Sequence, residues 1–200
     1  MKKNILKLFL YKDNLKFSDI ERLLNERSNK LSYHLSNMVK KGILSKEADY
    51  YRLSKDSEHM IPYVTEKQAV IPVVLIILEK NKQIFLHERT KRPYQNKLGL
   101  PGGRIILGEN IKKATERIMK EKFGTNCKFK KINSVHLEHV KKEDKIIHSF
   151  LLILVTATTK KEIKYMDILR NKNKIIKSDY LLIKNNLNST IEIGDINSVI

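Results

Sequence analysis

Apolar residues in the first sixty positions recur at helical spacing. Ile5, Leu6, Leu8 and Phe9 supply the apolar face of a first helix, which the polar Lys12-Asp13-Asn14 segment ends. Ser18-Asp19-Ile20-Glu21 has the S-x-x-E spacing in which two side chains satisfy two free backbone N–H groups reciprocally. A second helix is therefore expected to open at Ser18, with Ile20, Leu23 and Leu24 as its buried stripe. Leu31, Leu35 and Met38 fall at i, i+4 and i+7 and predict a third helix, capped by Ser28 and stopped at Gly42. Two short strands follow, Ile43 to Ser45 and Tyr50 to Ser54, around a polar turn of Lys46 to Asp49.

From Val70 the pattern changes to β-branched runs. Val70 to Leu78 and Ile84 to His87 read as strands joined by a turn of Lys80 to Gln83, and Phe150 to Thr156 reads as another strand. Met166 to Lys174 reads as a short helix. Ser178 to Asn186 reads as a second, with Asp179 favourably placed at the positive end of its dipole. The last residues, Ile191, Ile193, Ile196, Val199 and Ile200, suit an edge strand or a surface packed on a partner. The polar stretch Ser57 to Gln68, with Pro62 and little apolar periodicity, marks a boundary between a domain of residues 1–60 and one of residues 68–200.

Composition narrows the function. The 200 residues are 41% hydrophobic and 31% charged, enough apolar content to bury a core. Forty basic against 22 acidic side chains, a formal charge of +18, imply attraction to polyanions such as nucleic acid, nucleotides or anionic lipid. Residues 1–60 hold 13 basic and 8 acidic side chains, so the excess is shared by both parts. A lone cysteine, Cys127, forms neither an intrachain disulfide nor a cysteine-based metal site, which suggests a cytoplasmic location. The apolar runs Ile71 to Leu78 and Phe150 to Val155 are far shorter than the roughly 20 residues that span a bilayer, so no membrane partner is expected.

The order of three helices and a two-stranded tail, with LSYHLSNMVKKGIL followed by YYRLS, resembles winged-helix transcription regulators of the ArsR-like kind. That resemblance implies a winged helix-turn-helix that binds duplex DNA through the third helix. With Leu31, Leu35 and Met38 turned inward, Asn29, Lys30, Ser32, Tyr33 and Asn37 lie largely on its outer face. These residue types donate to phosphates and base edges in a major groove. The same segment also suits a solvated bundle or a dimerisation module. Because winged-helix proteins often read two half-sites, a homodimer is expected.

In the second part Gly102-Gly103 are followed by Glu109, Arg117, Glu121 and Gly124. Five residues separate Gly103 from Glu109, and seven separate Glu109 from Arg117. Those intervals resemble the Nudix box, and FLHERTKRPYQNKLGLPGG resembles the strand and loop that precede it. The resemblance implies an α/β/α sandwich with a mixed sheet, and a loop-helix-loop that binds Mg²⁺ against a diphosphate. Carboxylates one helical turn apart present oxygens to a hard cation, which neutralises phosphate charge and activates water. Where the family has R-E-U-x-E-E-x-G-U, with U a bulky aliphatic residue, this chain reads Arg117-Ile118-Met119-Lys120-Glu121-Lys122-Phe123-Gly124-Thr125. Glu121 alone remains as a catalytic or metal-binding carboxylate of the stretch, Ile118 offers no oxygen, and Lys122 adds a cation that repels Mg²⁺.

Glu116, Glu138, Glu143 and Asp144 are candidates to replace the missing acids. Arg89, Lys91, Arg92, Lys97 and Arg104 crowd the approach to the box, with Arg89 and Arg104 the candidates for gripping ligand phosphate without a metal. The leading expectation is a DNA-binding transcription regulator whose degenerate Nudix domain senses a nucleotide-type small molecule. The alternative is a divergent Nudix hydrolase, Mg²⁺-dependent, acting on a nucleoside diphosphate derivative. RNA binding through the basic surface is a third reading.

Overall fold

In the computed structural model, which describes residues 1–64 and 69–196, the helical pattern of the first part closes on a small sheet. Helices α1 (Lys2–Leu8), α2 (Phe17–Leu24) and α3 (Ser28–Lys40) turn Ile5, Leu6, Ile20, Leu31, Leu35 and Met38 into one core. Strands β1 (Asn14–Lys16), β2 (Leu44–Glu47) and β3 (Tyr50–Leu53) form an antiparallel sheet in the order β1-β3-β2, which adds Leu15, Leu44 and Tyr51.

Several details differ from the pattern-based expectation. The polar segment after α1 runs into strand β1, whose single buried residue, Leu15, is too short a signal for a period-2 pattern. Helix α2 starts at Phe17, so its N-terminus is held two residues earlier than Ser18-Glu21 and from one side only: the Lys16 N–H donates to Asp19 Oδ2 at 3.3 Å. Arg27, and not Ser28, is the residue before α3, and the Ser28 hydroxyl instead donates to the Glu21 carboxylate on α2. Glu21 is thereby engaged between helices rather than at its own N-terminus. The stretch expected as a linker is folded up to residue 64. Lys55–Tyr63 forms 3₁₀ turns, Ser57 is buried against the Gly42 carbonyl, and Met60 and Val64 join the core. Residues 65–68, the rest of that stretch, lie outside the described residues. The chain divides into two compact units, Met1–Ala69 and Val70–Ile200.

The second unit is organised by β4 (Ile71–Lys80). It pairs in parallel with β10 (Lys145–Thr158), and antiparallel with β5 (Gln83–Phe85) and β8 (Gly102–Arg104). Strand β9 (Lys128–Lys142) pairs with β10, and β11 (Tyr165–Met166) pairs with β5, giving the order β11-β5-β4-β10-β9. A short ladder joins β6 (His87–Glu88) to β7 (Leu98–Gly99).

Alternate residues of β4 serve two cores. Val74, Ile76 and Leu78 pack with Ala114, Ile118 and Met119 of α4 (Ile111–Phe123), whereas Leu75 and Ile77 pack with Tyr180, Leu182 and Ile183 of α5 (Lys177–Asn186). Burial on both faces explains the unbroken apolar run, and the result is an α/β/α sandwich on a mixed sheet.

One expectation for the C-terminal segment is corrected. Met166 to Lys174 is not a helix: after β11 the Asp167 carboxylate accepts the Leu169 and Arg170 N–H groups at 2.8 and 3.1 Å, and that side-chain turn replaces helical pairing. Asp179 lies in the first turn of α5, as the pattern predicts, and it is also buried, 5% exposed, with its carboxylate accepting the Leu100 N–H at 2.7 Å. Of the terminal apolar residues, Ile191 makes a single bridge to Ile132 on the β9 edge, and Val199 and Ile200 lie outside the described residues. Among the described residues no helix is long and apolar enough to cross a membrane.

Candidate functional site

Strand β8, the loop after it and α4 carry the glycine-acid-arginine pattern. A Cβ on Gly102 would come within 2.8 Å of the Val74 carbonyl and of Leu75, so only glycine lets β8 lie this close to β4. Asn110 caps α4 by accepting the Lys113 N–H at 2.9 Å, and Gly124 ends the helix at φ +57°. Between these ends Arg117 clamps the loop: one guanidinium nitrogen donates to Glu109 at 2.9 Å and also to the Arg104 carbonyl at 2.9 Å. Glu109 also accepts the Ile106 N–H at 3.2 Å. The hydrogen-bonded Arg117 holds the Glu109 carboxyl below its ordinary range, and Glu109 in turn raises the proton affinity of Arg117. Gly102, Gly103, Glu109, Arg117 and Gly124 thus form one framework.

The residues that would hold a divalent cation there do not fit one. Ile118 is fully buried, and its Cγ1 would lie 3.0 Å from a Cβ placed on Gly103. Lys122 donates from its ammonium to the Gly102 carbonyl at 2.6 Å, so a fixed positive charge lies on the glycine step. Glu121, with its side chain 59% exposed, pairs with Arg117 at 3.2 Å. Of the acids that could replace the missing ones, Glu116 lies half-buried on α4 itself. Glu138 accepts from the Tyr94 hydroxyl at 3.1 Å, Glu143 and Asp144 occupy the turn between β9 and β10, and among the described residues no cluster of three His, Cys, Asp or Glu could hold a metal.

Cations do converge. Arg89 and Lys91 lie close enough to Lys122 that, with Arg117, they lower its proton affinity beyond what burial alone does. His87, edge-on to Phe123 at 4.9 Å, is lowered by burial and by the charges of Arg89 and Lys122. Arg104 contributes its carbonyl to the clamp, and its side chain is exposed. Lys97 donates to the Asn173 carbonyl at 3.3 Å, away from the box.

Arg89 also borders a pocket of about 90 Å³ lined by Tyr94, Glu138, Phe150 and Asp179. Burial and the charge of Glu138 push Asp179 up to about 7, against the pull of its Leu100 hydrogen bond and of Arg89. Tyr94 is pushed up to about 12 by burial and Glu138. Neither Tyr94 nor Asp179 stands out in the sequence: Asp179 reads as a helix cap, and Tyr94 meets Glu138 across 44 residues.

In the first unit Asn29, Lys30, Ser32 and Tyr33 are exposed on α3, and Asn37 is half-buried. Tyr33 is 67% exposed, edge-on to His34 at 5.4 Å, and Lys30 pairs with Glu26 at 3.0 Å.

Glycine step, clamp, helix and two-sided sheet together define a NUDIX fold. The NUDIX domain model matches residues 69–168, half of the chain, and the chain belongs to that family. Similar solved structures include a NUDIX hydrolase from Nitrosomonas europaea, at 14% identity, covering 58% of this chain and 87% of that one, with a TM-score of 0.49. A MutT protein from Bacillus halodurans is 19% identical, covering 60% and 84%, at a TM-score of 0.47. The NUDIX domain of Shewanella oneidensis NrtR, complexed with ADP ribose, is 16% identical, covering 59% and 86%, also at 0.47. No curated protein matches the sequence.

Proposed function

We propose that the chain is a DNA-binding regulator: its NUDIX domain binds a nucleotide-type ligand without Mg²⁺-dependent turnover, and its first unit is a winged helix-turn-helix that reads duplex DNA, as a homodimer on paired half-sites. The observation that carries this reading is α3, which buries Leu31, Leu35 and Met38 and leaves Asn29, Lys30, Ser32 and Tyr33 to solvent, followed by the β2–β3 hairpin. A helix of that polarity ahead of a hairpin suits a major groove, with the hairpin as the wing. The box supports binding over turnover, because the framework of Glu109 and Arg117 is intact while Ile118 and Lys122 supply no oxygen.

The test is duplex-DNA binding by fluorescence anisotropy. Lys30→Ala with Tyr33→Ala is expected to weaken binding several-fold at unchanged Tm, and wild-type affinity is expected to fall steeply with salt as counterions are released. Wild-type affinity in the double variant removes the assignment. Calorimetry with ADP-ribose, with and without DNA, then tests the regulation: a linked ligand changes affinity by the same factor in both directions.

Glu121, exposed at the box, favours hydrolysis of a nucleoside diphosphate derivative as the second reading. Turnover of about 1 per second or faster, lost in Glu121→Gln, would establish it.

A further inference from the structure

We propose that this NUDIX domain grips a diphosphate with no divalent cation, the Lys122 ammonium together with Arg89 and Lys91 supplying the positive charge. The proposal deepens the ligand reading above and rests on it. Surface lysines are ordinarily mobile and solvated, but Lys122 is seated. It lies on the last turn of α4, and its ammonium reaches back to the Gly102 carbonyl at 2.6 Å. A Cβ on Gly103 would come within 3.1 Å of the same nitrogen. An ammonium carries three donors, so one proton on Gly102 leaves two for a ligand.

The surroundings select an anion. Arg117, Arg89 and Lys91 each oppose the charge on Lys122, and Glu121 favours it less strongly than any of these opposes it. Glu121 is itself drawn to Arg117 at 3.2 Å. Arg117 is matched by Glu109 and Glu121, whereas Lys122, Arg89 and Lys91 make no ion pair among the described residues, and like charges so held gain from any anion that enters. Phosphate oxygens suit this set better than a single carboxylate, because two linked phosphates offer enough acceptors for Lys122, Lys91 and the fork of Arg89 at once. Arg89 donates from Nε to the Pro93 carbonyl at 3.1 Å, which fixes its stem and leaves the two terminal nitrogens of the guanidinium as further donors.

Titration calorimetry on the full chain with inorganic pyrophosphate and with ADP, each in EDTA and in excess Mg²⁺, tests this. Both probes are expected to bind in EDTA, with no gain on adding Mg²⁺. Lys122→Gln is expected to weaken binding in EDTA roughly tenfold or more, the loss typical of a charged hydrogen-bond partner, at unchanged Tm. Lys141→Gln, on the exposed end of β9, is expected to leave binding intact. Binding that requires Mg²⁺, or that survives Lys122→Gln, overturns the cation-free grip while the ligand reading stands. Probes that bind in neither buffer overturn both.

Discussion

Asp179 provides the sharpest test of the second unit, because its environment makes a signed prediction about pH. The side chain is 5% exposed, lies against the pocket, and has Glu138 and Arg89 as its charged neighbours. An aspartate that titrates near 3.9 in an unfolded chain is moved to about 7 here, chiefly by burial. Between those two values the folded state holds a proton that the unfolded state has released. Stability therefore falls as pH rises through that window, by up to about 1.4 kcal/mol per pH unit and on the order of 4 kcal/mol in all. Asp179→Asn removes the ionisation and keeps a carbonyl to accept the Leu100 N–H. The variant is expected to match wild type near pH 4 and to exceed it progressively up to pH 8, read by urea denaturation at unit pH intervals. A difference that stays flat across the range would show that Asp179 ionises in the folded protein as it does in the unfolded one, and the account of its burial would be wrong.

The clamp predicts the opposite sign. Glu109, held below its ordinary range by Arg117, contributes stability above the usual carboxylate midpoint that is lost as pH falls through its lowered value; Glu109→Gln, which leaves Arg117 without its main partner, is expected to cost about 2 to 4 kcal/mol at pH 7 by urea denaturation. Ile118→Glu would put a carboxylate among Val74, Ala114 and Met119, so a loss of about 3 kcal/mol or more and no Mg²⁺-dependent release of phosphate from ADP-ribose are expected in the same preparations.

The sequence revealed those parts of the fold whose pattern is local and long. The run through β4 is readable because both faces are buried, and the stripe of α3 is readable because three apolar residues repeat at one helical spacing. The box intervals were legible for the same reason, since one loop and one helix carry them. Short or non-local features were not. Strand β1 shows one apolar residue, and its identity as a strand depends on Tyr51 some 36 positions away. The segment after Met166 has the composition of a helix, but Asp167 captures the backbone donors that a helix would need. Asp179 looks like a cap in any linear reading; only the approach of Leu100 turns it into a buried acid. Lys122 reads as one charge in a charged run, and the Gly102 carbonyl twenty residues earlier gives it a fixed place.

The two departures from the family pattern act at one point in space. A Cβ on Gly103 would meet Ile118 at 3.0 Å from beneath and the Lys122 ammonium at 3.1 Å, so both side chains close on the same glycine. Ile118 fills the core under the step with apolar volume, which excludes a solvated carboxylate there; Lys122 covers the step with charge, which excludes a cation. Reversing either alone leaves the other in force. Lys122→Glu would bring an acid to the Gly102 carbonyl while Glu121 stays paired with Arg117 and Ile118 still offers no oxygen. The framework of Glu109, Arg117 and Arg104 needs neither position, because its hydrogen bonds run through the loop and the side of α4 that carries Arg117. The fold can therefore keep its clamp while a positive charge occupies the glycine step.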